Sequence, residues 1–266
     1  MLTPMNEKEI LNLSNLNASS HVYSTNKPFP HIVLDNAWNE NFLSDVVSEI
    51  NLFTNWDGEK NFFGSEKKKI CSTYKKFPQK IKTVIDILNG EKFLIWLKNI
   101  TGEKEIIPDP YLYGGGLHSI GNGGFLKIHA DYNWHEKMKL FRRLNLLFYL
   151  NKDWKDHYNG NLELWSNDMS NCEKSISPKF NRMVIFTTDD KSYHGHPKNL
   201  NCPDDVRRNS IALYYYSSLK PKKNFSGKRI GTDYIPTDND KFERPGFVRR
   251  TWGKIKYEIK YLLEKK

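Results

Sequence analysis

Three side chains of this sequence could together bind a divalent metal ion: His129, Asp131 and a histidine from residues 193–196. On an extended segment, side chains alternate between two faces, so His129 and Asp131 would point the same way. His194 and His196 also lie two residues apart, so this spacing alone leaves both open as the second imidazole. Two imidazoles and one carboxylate on one face bind Fe(II) and leave positions open for a co-substrate and oxygen.

A second pair with a possible binding role follows the histidines. Arg208 and Ser210 lie on the same face of a strand, whereas Arg207 points the other way. A guanidinium group binds a carboxylate through two parallel hydrogen bonds, and a nearby hydroxyl adds a donor. Residues 211–216 are too apolar for an open surface, which favours a buried binding role for Arg208 over a surface ion pair.

The elements that must position these residues change character along the chain. From residue 111 onward, short apolar runs alternate with glycine-rich turns, and 144–150, 182–187 and 210–217 are the clearest strands. Several short strands with turn signals predict a β-sandwich or jelly roll. Residues 28–35 predict one earlier strand.

Helical spacing dominates the first part of the chain. Asn39 resembles an N-cap before apolar positions that continue to Ile50, and residues 78–100 show helical spacing with a break at Asn89–Gly90. We expect both segments to pack on the outer face of the sheet. Residues 53–76 show no clean periodicity and predict a long loop.

Composition and charge limit the class of protein. The hydrophobic fraction of 38% suits one globular domain of this length, and no apolar run is long enough to span a bilayer. Residues 220–266 carry 14 Lys and Arg against 6 Asp and Glu, so they account for +8 of the net charge of +10. This distribution differs from that of a uniformly basic nucleic-acid binder, and nucleic acid is not an expected partner.

The cysteines and the N-terminus predict a location. Cys71, Cys172 and Cys202 are an odd number at scattered positions, which favours a reducing compartment over a disulfide framework. The first 13 residues carry charges where a signal peptide needs an apolar block. We therefore expect a cytoplasmic protein.

Taken in order, these motifs resemble the Fe(II)- and 2-oxoglutarate-dependent oxygenases of the prolyl-4-hydroxylase-like group. The matching segments are residues 123–131, 143–151, 161–165, 194–197 and 208–216. The resemblance implies a mainly β fold with flanking helices around a double-stranded β-helix, a cupin-like jelly roll. It implies Fe(II), 2-oxoglutarate and O2 as the cofactor and co-substrates, with ascorbate as an optional addition.

The resemblance also implies roles for individual residues. His129, Asp131 and His194 would bind iron, with His194 preferred to His196 because of its His-Gly-x-Pro pattern. Arg208 and Ser210 would bind the distal carboxylate of 2-oxoglutarate. Tyr113 and Asn145 are weaker candidates for hydrogen bonds to 2-oxoglutarate. In related halogenases a small residue replaces the carboxylate, so Asp131 favours hydroxylation.

The implied domain order has three parts: a loose polar arm with one short helix at 1–26, the dioxygenase domain at 27–218, and a basic extension at 219–266. Within the dioxygenase domain, the family resemblance is clearest from residue 111 to residue 218. An amphipathic helix is predicted at 249–266. We expect truncation after Ser218 to leave iron binding largely intact if the extension is an appendage, and to unfold the protein if the extension is part of the core.

The expected activity is hydroxylation of a C–H bond with release of succinate and CO2. Peptidyl proline is the namesake substrate of the group, and the basic segments favour a polar or acidic small molecule or peptide. The alternative is a non-catalytic basic jelly roll that acts as a binding or scaffold protein.

Overall fold

A computed structural model describes residues 7–14, 18–221 and 223–237 of the chain. The α-helices are α1 (Glu7–Ile10), α2 (Ser20–Thr25), α3 (Glu40–Leu52), α4 (Gln79–Asn89) and α5 (Glu91–Thr101). The strands are β1 (His31–Asp35), β2 (Gly58–Phe62), β3 (Ser65–Cys71), β4 (Ile107–Pro108), β5 (Gly116–Ala130), β6 (Trp134–His135), β7 (Leu140–Tyr149), β8 (Leu162–Trp165), β9 (Cys172–Ile176), β10 (Arg182–Thr187), β11 (His194–His196), β12 (Arg208–Ser217) and β13 (Asp233–Tyr234). Short 3-10 turns occupy Tyr74–Lys76 and Asp156–Tyr158.

The strands form one curled antiparallel sheet, the jelly roll that the sequence predicts. Its order is β1-β10-β7-β12-β5-β11-β8-β9, so strands distant in sequence lie side by side. β5 pairs with four strands, namely β3, β11, β12 and β13. The strand β5 therefore joins strands from early and late in the described part of the chain in one sheet.

The outer face of the sheet packs against the helices, as expected. Leu146 and Phe148 of β7, with Ile185 of β10 and Leu213 of β12, belong to the same buried cluster as apolar residues of α3, α4 and α5. The Asn39 side chain accepts a hydrogen bond from the Phe42 amide and caps α3. The alternate residues of the same strands point inward, and these carry the polar groups described below.

Two expectations about the first 76 residues are wrong. Residues 58–71 form the β2–β3 hairpin instead of a loop, because β3 pairs along its length with β5. The described N-terminal residues form two short helices instead of one, and they are not loose, since Ile10, Leu11 and Tyr23 are buried in the main core.

The residues after 218 continue into the sheet as far as they are described. Asp233 and Tyr234 of β13 pair with Ala130 and His129 of β5. The amphipathic helix predicted at 249–266 lies outside the described residues. None of the helices described here is both long and apolar enough to cross a membrane. Cys71, Cys172 and Cys202 are all free thiols.

Candidate metal centre

His129, Asp131 and His194 lie together at one end of the curled sheet. One ligand atom from each of the three lies within 4.8 Å of the others. His129 is near the end of β5, and β11 places His194 directly opposite it. Asp131 follows β5 by one residue. The two strands therefore bring the proposed ligands together through their pairing register.

Backbone carbonyl groups fix the orientation of both imidazoles. His129 Nδ1 lies 2.7 Å from the Lys127 carbonyl oxygen, and His194 Nδ1 lies 2.9 Å from that of Ser192. In each ring the Nδ1–H would donate, which leaves Nε2 unprotonated and directed at Asp131. The Nε2 atoms lie 3.6 and 3.4 Å from the Asp131 carboxylate oxygens.

The Asp131 carboxylate is oriented by two buried residues of β7. Asn145 Nδ2 donates to Asp131 Oδ2 at 2.7 Å, and the Arg142 guanidinium lies 2.9 Å from the same oxygen. Arg142 in turn donates from Nε to Asn145 Oδ1 and lies against the Tyr214 ring. Oδ1 lies nearest His129 Nε2, whereas Oδ2 also lies 3.4 Å from His194 Nε2.

The environment sets the charge of the cluster. Burial alone would raise the pKa of Asp131, but Arg142, followed by the two imidazoles, holds that pKa well below its usual range. Burial, followed by His194, lowers the pKa of His129. A charged carboxylate beside a neutral imidazole is the state that a metal ion requires of its ligands. The residues present therefore fit a divalent cation.

His196 lies on the same short strand but outside this cluster. It pairs with Leu126, and neither ring nitrogen has a hydrogen-bond partner among the described residues. Gly195 separates the two histidines because a Cβ atom there would lie 2.7 Å from the Lys127 carbonyl oxygen. The close approach of β11 to β5 thus excludes other residues between the histidines.

Arg208 and Ser210 are buried on the inner face of β12. Arg208 Nε donates to the Gly160 carbonyl oxygen at 2.7 Å, and Nη2 donates to the Tyr149 hydroxyl at 3.3 Å. Within the described residues, Nη1 makes no hydrogen bond and no carboxylate pairs with this guanidinium. Arg207 faces the other way and donates to Ser119. A buried cation without an anion indicates that Arg208 can bind an anionic ligand.

Tyr149 is a residue that sequence reasoning missed. It pairs directly with Ser210 across β7 and β12, and its ring lies under the Arg208 guanidinium. Tyr149 also shares a buried cluster with Phe186, whose ring packs edge-on against His194. The signal in the sequence was a hydroxyl at the end of an otherwise apolar strand.

The two weaker candidates for co-substrate binding differ in their surroundings. Both amide atoms of Asn145 are engaged, one by Asp131 and one by Arg142, which favours a role in positioning the carboxylate. Tyr113 is 39% exposed and its ring contacts Tyr132. For Tyr113, binding to a co-substrate stays a prediction.

Comparisons with known proteins show a family model that the chain matches and solved structures that share its fold. Residues 115–216 match the model of the 2OG-Fe(II) oxygenase superfamily. No curated protein matches the sequence.

Solved structures with a similar fold include a prolyl 4-hydroxylase from Phytophthora capsici, 17% identical over 85% of this chain and 69% of that chain, with a TM-score of 0.53. A prolyl-4-hydroxylase from Pseudomonas putida is 13% identical over 74% and 97%, with a TM-score of 0.50. HygX from Streptomyces hygroscopicus, with nickel, 2-oxoglutarate and hygromycin B bound, is 8% identical over 77% and 92%, with a TM-score of 0.50.

Proposed function

We propose that this chain, a 2-oxoglutarate-dependent dioxygenase that carries a domain of the 2OG-Fe(II) oxygenase superfamily, hydroxylates a C–H bond of a polar or acidic small molecule or peptide. His129, Asp131 and His194 would hold Fe(II). Arg208 and Ser210 would bind the distal carboxylate of 2-oxoglutarate, and Tyr149 would support Arg208. When bound, Fe(II) would activate O2, the oxidant of which one oxygen atom enters succinate as 2-oxoglutarate loses CO2 and the other enters the hydroxyl group of the product.

The chain's own residues have separable tasks in this proposal. The carbonyl groups of Lys127 and Ser192 hold the imidazoles with Nε2 free to bind metal. Arg142 and Asn145 hold Asp131 charged and oriented, and an oriented ligand binds metal more tightly. Arg208 provides a buried charge that needs an anion.

The observation that carries the proposal is the buried Arg208 without a carboxylate partner, connected through Tyr149 and Phe186 to the histidine cluster. A purely structural barrel gains nothing from this charge, since an unpaired buried cation is costly. This disfavours the scaffold alternative. The neighbours support the breadth of the substrate class, because two are prolyl hydroxylases and one holds hygromycin B.

We also propose that the protein acts in the cytoplasm. Three free thiols at scattered positions suit a reducing compartment.

Metal binding and 2-oxoglutarate turnover test the assignment. Calorimetry should show Mn(II) binding to the full chain and its loss in His129→Ala, Asp131→Ala and His194→Ala. Succinate formed from 2-oxoglutarate with Fe(II) and O2 should disappear in the same variants and after treatment with EDTA. His196→Ala is the matched control and should bind Mn(II) nearly normally. If His196→Ala alone abolishes binding, or His129→Ala binds like the parent, the ligand set is wrong.

A further inference from the structure

Three cationic side chains share one row across four adjacent strands. Lys60 of β2 pairs with Lys68 of β3, Lys68 pairs with Ile120 of β5, and Ile120 pairs with Arg208 of β12. Side chains at directly paired positions lie on the same face of a sheet. Lys60 and Lys68 therefore extend the inner face that carries Arg208, with Ile120 between Lys68 and the guanidinium.

These two lysines are basic groups that the fold itself does not use in an ion pair. Lys60 is exposed and Lys68 is half-buried, and neither makes an ion pair with any residue of the described ranges. Like charges directly opposite each other destabilise a strand pair. Removal of water, followed by repulsion from Lys60, lowers the pKa of Lys68 to about 7. The charge of the Asp131 carboxylate raises the pKa of both lysines, but Asp131 already pairs with Arg142.

The other lysines of the hairpin are placed differently. Lys69 pairs with Glu59 on one side and Ser119 on the other, which puts it on the face opposite Lys68. Lys67 Nζ donates to the Asn122 carbonyl oxygen. The hairpin therefore directs two lysines, and not its whole basic content, to the inner face.

We propose that Lys60 and Lys68 form an anion subsite for a carboxylate or phosphate group of the primary substrate. This inference rests on the proposed function, because it assumes that Arg208 is occupied by 2-oxoglutarate. Two ammonium groups on neighbouring strands can donate to several oxygens of one anion. Ile120 separates this subsite from Arg208, so the two anions bind at distinct places in the row.

Anion binding by the full chain tests the subsite. The chain is saturated with Mn(II) and 2-oxoglutarate, and inorganic phosphate and acetate are titrated by calorimetry and by NMR line broadening. Lys60→Gln/Lys68→Gln should weaken binding of the preferred anion at least about tenfold, a change of about 1.4 kcal/mol. Lys60→Arg/Lys68→Arg should retain binding. Tighter binding of phosphate than of acetate would identify a phosphorylated substrate, and the reverse a carboxylate.

Lys69→Gln is the matched control, since it removes the same charge from the opposite face. Equal anion affinity in the double Gln variant and the parent overturns the proposal, as does the absence of binding by the parent. A comparable loss of 2-oxoglutarate affinity in the double variant would assign the lysines to the co-substrate and also overturn it. Failure of the proposed function would give a different result. The parent would then bind neither Mn(II) nor 2-oxoglutarate, and anion binding would be measured by titrating phosphate and acetate into the metal-free chain.

Discussion

Arg208 and Arg207 are adjacent guanidinium groups with opposite surroundings, and this difference gives a prediction at the scale of the residue. Arg208→Ala should raise the dissociation constant for 2-oxoglutarate about thirtyfold or more, because a buried charged hydrogen-bond partner contributes about 2–5 kcal/mol. Arg207→Ala removes a residue that bonds Ser119 and should bind 2-oxoglutarate normally. Calorimetry on the Mn(II)-loaded protein measures both. Equal losses would mean that the proposed face of β12 is wrong.

Asn145 gives a second prediction at this scale. Asn145→Ala removes the donor to Asp131 Oδ2, so the affinity for Mn(II) should fall by about tenfold to a hundredfold, the usual effect of losing a group that orients a metal ligand. The affinity for 2-oxoglutarate, measured with saturating Mn(II), should change less. Asn161→Ala is the control, since its amide bonds Ser175 at the surface. A selective loss of 2-oxoglutarate binding would restore the sequence-based role of Asn145.

The sequence indicated the candidate metal ligands but not the residues that orient them. The ligand candidates could be recognised because residues two apart share a face wherever the chain is extended, and the family resemblance gave their order. The contacts of Asn145 and Arg142 with Asp131 depend on where β7 lies relative to the end of β5, which no local pattern contains. An asparagine within the apolar run 144–150 was the visible signal, but its partner was not.

At the scale of the element, the β2–β3 hairpin is held at its base by Asp57. The Asp57 carboxylate accepts hydrogen bonds from the amides of Ser72 and Thr73 and from Lys76. Asp57→Asn should lower the free energy of unfolding at pH 7 by about 1–2 kcal/mol. Glu66→Gln, on the same hairpin and exposed, is the control and should have little effect in chemical denaturation.

The effect of Asp57→Asn should depend on pH. Burial alone would raise the pKa of Asp57, but the bonds from Lys76, Ser72 and Thr73 lower it. A carboxyl whose pKa is lower in the folded state stabilises the fold above its unfolded pKa of about 3.9 and loses that contribution as the pH falls below it. The parent and Asp57→Asn should therefore converge in stability in acid. A difference that persists unchanged at pH 3 would contradict this account.

The hairpin also explains why the sequence predicted a loop there. Every residue of β2 is exposed, and three consecutive residues of the seven in β3 are lysine, so neither strand shows the alternation that marks a half-buried strand. Its strand structure comes from pairing with β5, far along the chain. By contrast, β10 was predicted at its observed bounds because its apolar residues are covered by core on both faces.

At the scale of the whole molecule, the basic extension divides into two parts with different expected roles. Arg229 donates to the Asp131 carbonyl oxygen at 2.6 Å, and the Tyr234 ring lies against His129. Truncation after Ser218 should therefore lower both the thermal midpoint and the Mn(II) affinity, contrary to the expectation from charge alone. We propose that the dioxygenase domain extends to about Ile235, where the compact unit ends.

Truncation after Thr237 is the matched comparison, because it keeps β13 and removes the remaining basic residues. It should retain Mn(II) binding and 2-oxoglutarate turnover measured as succinate. If truncation after Ser218 binds Mn(II) as tightly as the full chain, the boundary at 218 is restored.

The pairing of β5 with four other strands has a consequence for biosynthesis. β5 carries His129, but its partners are β3 from early in the chain and β11, β12 and β13 from late in it. During translation, the ribosome releases His129 and Asp131 well before His194 and Arg208. The nascent chain therefore holds only two of the three proposed metal ligands until β11 emerges and pairs with β5. Iron should accordingly be acquired after synthesis of the barrel is complete, and a stalled ribosome would display a chain that cannot yet bind it.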